Sequence, residues 1–113
     1  NINAKRDWGH AKDHVKAMWL MAQQDKPGDY VVGTGVENSV EDFAKKAFDH
    51  VGLNYKDYLS IDKNLMRPAE VNTLLADSSK AKKILKWEPE VSFDDLVKGM
   101  VESDLELVTN HGY

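Results

Sequence analysis

The sequence predicts a small mixed α/β fold, with about four helices and two or three short strands. Three observations carry this expectation. Apolar residues recur at helical spacing in several separate stretches, the β-rich runs are only a few residues long, and strong breakers divide the two kinds of segment. So few strands cannot form a full sheet by themselves.

Residues 4–8 read as a short extended segment. A helix follows from about Ala11 to Gln24. Ala11, Val15, Met18, Trp19 and Ala22 form its apolar stripe, and lysines and glutamines lie on the other face. Lys26-Pro27-Gly28-Asp29 stops it. The continuous apolar run Tyr30-Val31-Val32 predicts a covered strand, which ends in Gly33-Thr34-Gly35. Ser39, with Asp42 three residues later, opens the next helix in a capping-box pattern. Val40, Phe43, Ala44, Ala47, Phe48 and Val51 mark its buried stripe. Gly52 stands where a left-handed C-cap is expected.

A turn near Tyr55 and a short strand at Tyr58–Ile61 come next. Arg67-Pro68 is a turn in which the proline biases Arg67 toward extended backbone. Asp77 or Ser78 is expected to cap a short helix through Leu85, ended by Trp87-Glu88-Pro89. Ser92 with Asp95 starts the last helix, which Phe93, Leu96, Val97, Met100, Val101, Leu105 and Val108 extend to about Thr109. Gly99 costs that helix about 1 kcal/mol relative to alanine, so close packing is expected there.

The chain has 113 residues, one domain's worth, and its 42% apolar content can build a modest core. Fifteen basic and nineteen acidic residues give a net charge of −4. General nucleic-acid binding needs a basic face and is not expected. One phosphorylated small molecule needs only local positive charge. Without cysteine there is no disulfide, thiol catalysis or thiolate-bound zinc. No apolar run reaches the roughly 18–20 residues of a membrane span, and no signal peptide is evident. A cytoplasmic protein is expected. The sequence begins at Asn1 without a methionine, and its first motif starts four residues later. A piece of a longer protein is therefore expected.

Two arginine motifs carry the most chemical information. They are Lys5-Arg6-Asp7-Trp8-Gly9-His10-Ala11-Lys12-Asp13 and, about sixty residues on, Arg67-Pro68-Ala69-Glu70-Val71. Two guanidinium forks converging on one cleft would match the paired oxygens of a pyrophosphate. The plainer alternatives are Arg6 paired with Asp7 or Asp13, and a solvated Arg67. Glu70 can accept hydrogen bonds from a vicinal diol such as ribose, or can pair locally with Arg67. His10 and His14 have the four-residue spacing of a metal pair, but no third ligand accompanies them. Gly33-Thr34-Gly35 invites a phosphate-loop reading. It lacks the third glycine of a dinucleotide fingerprint, so packing or a tight turn explains it better. Trp8, Trp19 and Trp87 read as core or interdomain residues, and Trp8 also neighbours Arg6. No nucleophile has an adjacent base and there is no Tyr-x-x-x-Lys pair. No catalytic residue is expected in this chain.

These motifs resemble those of a known family. The segments NINAKRDWGHAKD (1–13), DYVVGTG (29–35), RPAEV (67–71), KAKKILKWEP (80–89) and VSFDDLVKGMVESDLEL (91–107) are similar, in order, to the C-terminal half of the GDP-mannose 4,6-dehydratases. These belong to the extended short-chain dehydrogenase/reductases that act on nucleotide sugars. An Arg-Asp-aromatic segment with a distant arginine is shared across that class. Gly9–Asp13 and Arg67–Val71 are sharper. The resemblance implies that residues 1–113 are a C-terminal GDP-sugar-binding domain. The missing N-terminal part would be a Rossmann domain holding NADP and the catalytic Thr or Ser, Glu, Tyr and Lys. Arg6 and Arg67 would hold the GDP pyrophosphate, Glu70 would lie near the ribose hydroxyls, and Lys5 beside the same subsite. The implied reaction converts GDP-mannose to GDP-4-keto-6-deoxy-mannose and water. Hydride leaves C4 for NADP and returns to C6, on the way to GDP-fucose and related deoxysugars. A homo-oligomer is implied for the intact enzyme, and this piece alone would be inactive. Two alternatives stay open: another nucleotide-sugar epimerase or dehydratase, against which Gly9–Asp13 argues, and a non-catalytic interaction module.

Overall fold

The computed structural model describes residues 1–112. Strand β1 (Lys5–Asp7) is the centre of a three-stranded sheet in the order β2-β1-β3. It runs antiparallel to β2 (Glu37–Ser39) and parallel to β3 (Thr73–Leu74). Arg6 lies opposite Asn38 on one side and Leu74 on the other. Helix α1 (Ala11–Ala22) follows β1, α2 (Val40–His50) follows β2 directly, and α3 (Phe93–His111) closes the chain. Two single 3₁₀ turns, at Tyr55–Asp57 and Lys63–Leu65, lie between α2 and β3, and a π-turn at Ala81–Leu85 follows β3.

The capping expectations hold at both serines. Ser39 Oγ accepts from the Asp42 N–H (3.0 Å), while Asp42 Oδ2 accepts from the Ser39 N–H (2.9 Å). Ser92 Oγ accepts from the Asp95 N–H in the same way. Gly52 takes φ +73°, the left-handed conformation expected just past α2.

Other expectations fail for identifiable reasons. Tyr30–Val32 is not a strand. It is apolar because Tyr30 and Val32 pack against the core of Ala17, Ala81, Leu85 and Trp87. The strand instead forms from the polar residues Glu37-Asn38-Ser39, where pairing with β1 overrides local propensity. Tyr58–Ile61 is no strand either: Asn54 Oδ1 accepts from the Lys56 N–H to start a 3₁₀ turn, and Tyr58 stacks on Phe48 at 5.2 Å. Of the two candidate caps before Trp87, Asp77 Oδ1 accepts from the Ser79 N–H (3.0 Å) at the start of the helix, whereas the Ser78 side chain does not cap it. Its hydroxyl is bound to both the N–H and the C=O of Gly33 (2.9 and 2.8 Å). That stretch winds as a π-turn ending at a left-handed Lys86.

The faces of the helices also differ from the periodicity. In α1 the inward side is Asp13, Ala17, Leu20 and Met21, whereas Val15, Met18 and Trp19 are about 60% exposed. Asp13 is buried because its Oδ2 accepts from the Glu90 and Val91 N–H groups and its carbonyl accepts from Trp87 Nε1. In α3 only Leu96 and Val97 are buried, and Gly99 has nothing within 4 Å of the place a Cβ would occupy, so it marks no close contact. Few apolar side chains are buried, and the radius of gyration, 17.1 Å, exceeds the roughly 13 Å of a compact domain of this length.

One carboxylate binds the sheet to its surroundings. Asp7 Oδ1 accepts from the Thr34 N–H (2.8 Å) and Thr34 Oγ1 (2.6 Å), and Oδ2 accepts from the N–H groups of Gly35 (2.8 Å) and Ala76 (3.3 Å). Gly33 must be glycine, since a Cβ there would overlap the Ala76 methyl and stand 2.9 Å from Asp7 Oδ2. Burial acts to raise the Asp7 pKa. The Thr34 hydroxyl and the amides of Thr34, Gly35 and Ala76 outweigh it, so the carboxyl titrates below the ordinary aspartate range.

Two outcomes follow. Asp7→Asn puts an NH₂ against donors, or loses one acceptor oxygen. It should cost about 1–2 kcal/mol at neutral pH, the low end for charged hydrogen bonds because solvent reaches the group. Because the folded-state pKa is depressed, this stabilisation is complete above the unfolded value of about 3.9 and is lost as pH falls through the lower folded value. Denaturant titrations should therefore show the gap between wild type and Asp7→Asn narrowing in acid; a gap that is constant with pH contradicts the anchor. Gly99→Ala should stabilise the chain by about 0.5–1 kcal/mol through helix propensity, read as a higher denaturation midpoint. A lower midpoint would show that Gly99 is packed after all.

Candidate functional site

Arg6 leaves β1 on the face opposite Lys5 and Asp7, because successive strand residues alternate. The plainer alternative, a pairing with Asp7 or Asp13, is not what forms: Asp7 accepts from the Thr34, Gly35 and Ala76 amides, and Asp13 Oδ2 accepts from those of Glu90 and Val91. Arg6 reaches instead to the segment just before β3. Its Nη1 donates to the Val71 and Lys5 carbonyls (both 2.8 Å), and its Nη2 donates to Glu70 Oε1 (2.5 Å). The two charged side chains are about a quarter exposed. Glu70 thus pairs with Arg6 across the fold and not with its neighbour Arg67.

Arginine carries five N–H donors. Three are committed to these acceptors, so Nε–H and one Nη2 hydrogen remain without an acceptor among the described residues. Those two nitrogens share Cζ and present donors at the spacing of two oxygens on one phosphorus. Lys5 is half exposed and lies 3.4 Å from Glu37 Oε1, its diagonal neighbour across β1 and β2. Arg67 is exposed in the segment between the Lys63–Leu65 turn and β3 and makes no ion pair among the described residues. The Glu70 bridge therefore brings Arg6 and Glu70 together, while Lys5 lies on the other face of β1 beside Glu37.

The remaining motif residues are spoken for. The amides of Gly33, Thr34 and Gly35 point at Ser78 Oγ and the Asp7 carboxylate, so this loop cradles an internal anion and has none left for a phosphate. His10 Nδ1 accepts from the Lys12 N–H as the cap of α1. His14 Nδ1 lies 3.1 Å from the His10 carbonyl, its ring filling the space above Gly9. No group of three potential metal ligands occurs among the described residues. Trp8 donates from Nε1 to the Asn38 carbonyl and packs on Phe43 at 4.8 Å, so it joins β2 to α2. Asp7, which the sequence offered only as one alternative partner for Arg6, holds the Gly33–Gly35 loop instead. Its signal was a Gly-Thr-Gly turn rich in free amides, which needs an anion from somewhere.

A profile of the family described as GDP-mannose 4,6 dehydratase matches residues 1–100. The chain is 56% identical over 107 residues to GDP-mannose 4,6 dehydratase 2 of Arabidopsis thaliana, covering 95% of this chain and 29% of that protein. It is 44% identical over 125 residues to GDP-mannose 4,6 dehydratase of Homo sapiens, covering 96% and 34%. Among solved structures it is similar to UDP-glucose 4-epimerase from Bifidobacterium longum in complex with NAD+ and UDP. The TM-score there is 0.81 at 27% identity, over 98% of this chain and 32% of that one. dTDP-glucose 4,6-dehydratase from Bacillus anthracis, at TM-score 0.83 and 19% identity over 96% of this chain and 34% of that one, shares the fold. The chain spans about a third of the length of these relatives. The expected architecture, a mixed α/β piece matching Rossmann-type nucleotide-sugar enzymes, holds. With the family profile matching residues 1–100 and relatives 44–56% identical over 95% or more of this chain, the chain belongs to the GDP-mannose 4,6-dehydratase family.

Proposed function

We propose that this chain is the GDP-sugar-binding portion of a GDP-mannose 4,6-dehydratase, a hydro-lyase converting GDP-mannose to GDP-4-keto-6-deoxy-mannose and water. The observation that carries the reading is Arg6: a guanidinium fixed on three acceptors, with two donors unclaimed among the described residues. In this role Arg6 and Arg67 grip the pyrophosphate, and Lys5 and Glu70 complete the substrate-binding set. Each charge-assisted contact would contribute about 1.5–3 kcal/mol. That energy holds the hexose in a reactive position on the adjoining domain.

The residues of this chain do not fit a dinucleotide, since the glycine-paired loop is filled by Asp7. The cofactor, NADP in this proposal, is held by the N-terminal Rossmann portion together with the catalytic residues. The exposed stripe Val15, Met18 and Trp19 on α1 and the thin core accord with a domain that shares an interface with such a portion. A cytoplasmic, homo-oligomeric enzyme of deoxysugar synthesis completes the proposal. No helix among the described residues is long and apolar enough to cross a membrane.

The test uses the intact protein. GDP should raise its unfolding temperature, and Arg67→Ala and Arg6→Ala should each weaken GDP at least about tenfold. GDP-mannose, offered beside UDP-glucose and dTDP-glucose, should alone be dehydrated, as seen by mass spectrometry of the sugar nucleotides. Unchanged GDP affinity in both variants, or preference for a uridine or thymidine sugar, would overturn the reading.

A further inference from the structure

We infer that the groove between α2 and α3 is the seat of a helix from the part of the intact protein that precedes Asn1, and that this helix has basic residues along its edge. The inference rests on the proposed reading of the chain as the latter portion of a longer enzyme. Helix α3 has 19 residues and α2 has 11, so α3 runs well past its neighbour. Lys46 pairs with Asp94 (2.8 Å), and His50 Nε2 lies 3.2 Å from Glu102 Oε1, which sets the two helices side by side. Beside that seam lies an open groove of about 300 Å³. Ala47, Phe48 and Val51 line it from α2 and its C-cap, and Val101, Leu105 and Val108 line it from α3. Val51 is 37%, Val108 41% and Leu105 50% exposed. The last three recur at the spacing of a helix stripe that packs on a neighbour, and a third helix laid along a helix pair would bury it.

Position and charge together select the occupant. The chain spans about a third of the length of its relatives. The Ile2 carbonyl accepts from the Glu41 N–H (2.9 Å) and the Ala4 carbonyl from the Val40 N–H (3.1 Å), so chain preceding Asn1 emerges beside the first turn of α2. The groove begins at Ala47 on the same helix, about 9 Å further along its axis. About three extended residues cover that distance. Asp104 also lines the groove and makes no ion pair among the described residues. Glu102 and Glu106 flank it, and no Lys, Arg or His stands between Lys98 and His111. A second copy of this face would set acid against acid, whereas a basic edge is complementary.

The experiment uses the intact protein, its mass read first. With p-benzoylphenylalanine in place of Leu105, photolysis should give a cross-link within one chain, to a peptide that precedes Asn1 and carries Lys or Arg, as identified by mass spectrometry. Leu105→Cys should react with a maleimide at least about tenfold more slowly than Glu106→Cys on the same helix, because only the first is covered. Asp104→Lys should lower the unfolding temperature, and Asp104→Asn should lower it less. A cross-link between two copies, to chain beyond Tyr113 or to a separate protein would overturn the inference. So would equal labelling of the two cysteines, or an unchanged unfolding temperature in Asp104→Lys. An intact chain with no residues before Asn1 would overturn it by another route, since the mass alone would show that the longer-enzyme reading is what failed.

Discussion

The ionised carboxylate of Asp7 is the constraint on which the rest of this structure depends. Four donors from two segments distant in sequence converge on its two oxygens. They draw the Gly33–Gly35 loop and the end of β3 around the central strand. A three-residue strand has too few ladder bonds to hold its own place. The charge supplies what the ladder lacks, and the amides of a tight glycine turn form the same concave nest that binds phosphates elsewhere. Here the anion is part of the chain. The strand so fixed carries Arg6 on its opposite face, so the structural anchor and the cation bridged to Glu70 are consecutive residues.

Local signals in the sequence were read correctly where the physics is local. Ser39 with Asp42 and Ser92 with Asp95 cap helices because their partners are three residues away. Long-range partners were not legible. Ser78 is a good cap by composition, yet Gly33 claims its hydroxyl. The polar run Glu37–Ser39 becomes a strand only because β1 lies beside it. In α1 the sequence shows an apolar stripe through Val15 and Trp19, but the inward face carries Asp13, whose burial depends on amides more than seventy residues away. Periodicity identifies an apolar face without saying what covers it.

The site follows the same division. That Arg6 and Glu70 are candidates could be read from their motifs. That they hold one another could not, because β1–β3 pairing creates the contact. Parallel pairing with Thr73 and Leu74 brings the segment ahead of β3 alongside Arg6, and the carbonyl of Val71 and the carboxylate of Glu70 then lie within its reach. Arg67, three residues before Glu70, stays on the exposed connection. Family membership and geometry therefore contribute separately: membership places the chain among its relatives, and the hydrogen bonds say which cation is already oriented.

The most direct measurement is a pH titration of the Asp7 carboxyl carbon by NMR, assigned by its disappearance in Asp7→Asn. A midpoint below the ordinary aspartate value of about 3.9, with the Thr34 and Gly35 amide shifts moving in step, is the predicted result. A midpoint at or above that value, or amides indifferent to the titration, would mean that the carboxylate does not hold the loop, and that the placement of β1 and Arg6 has another cause.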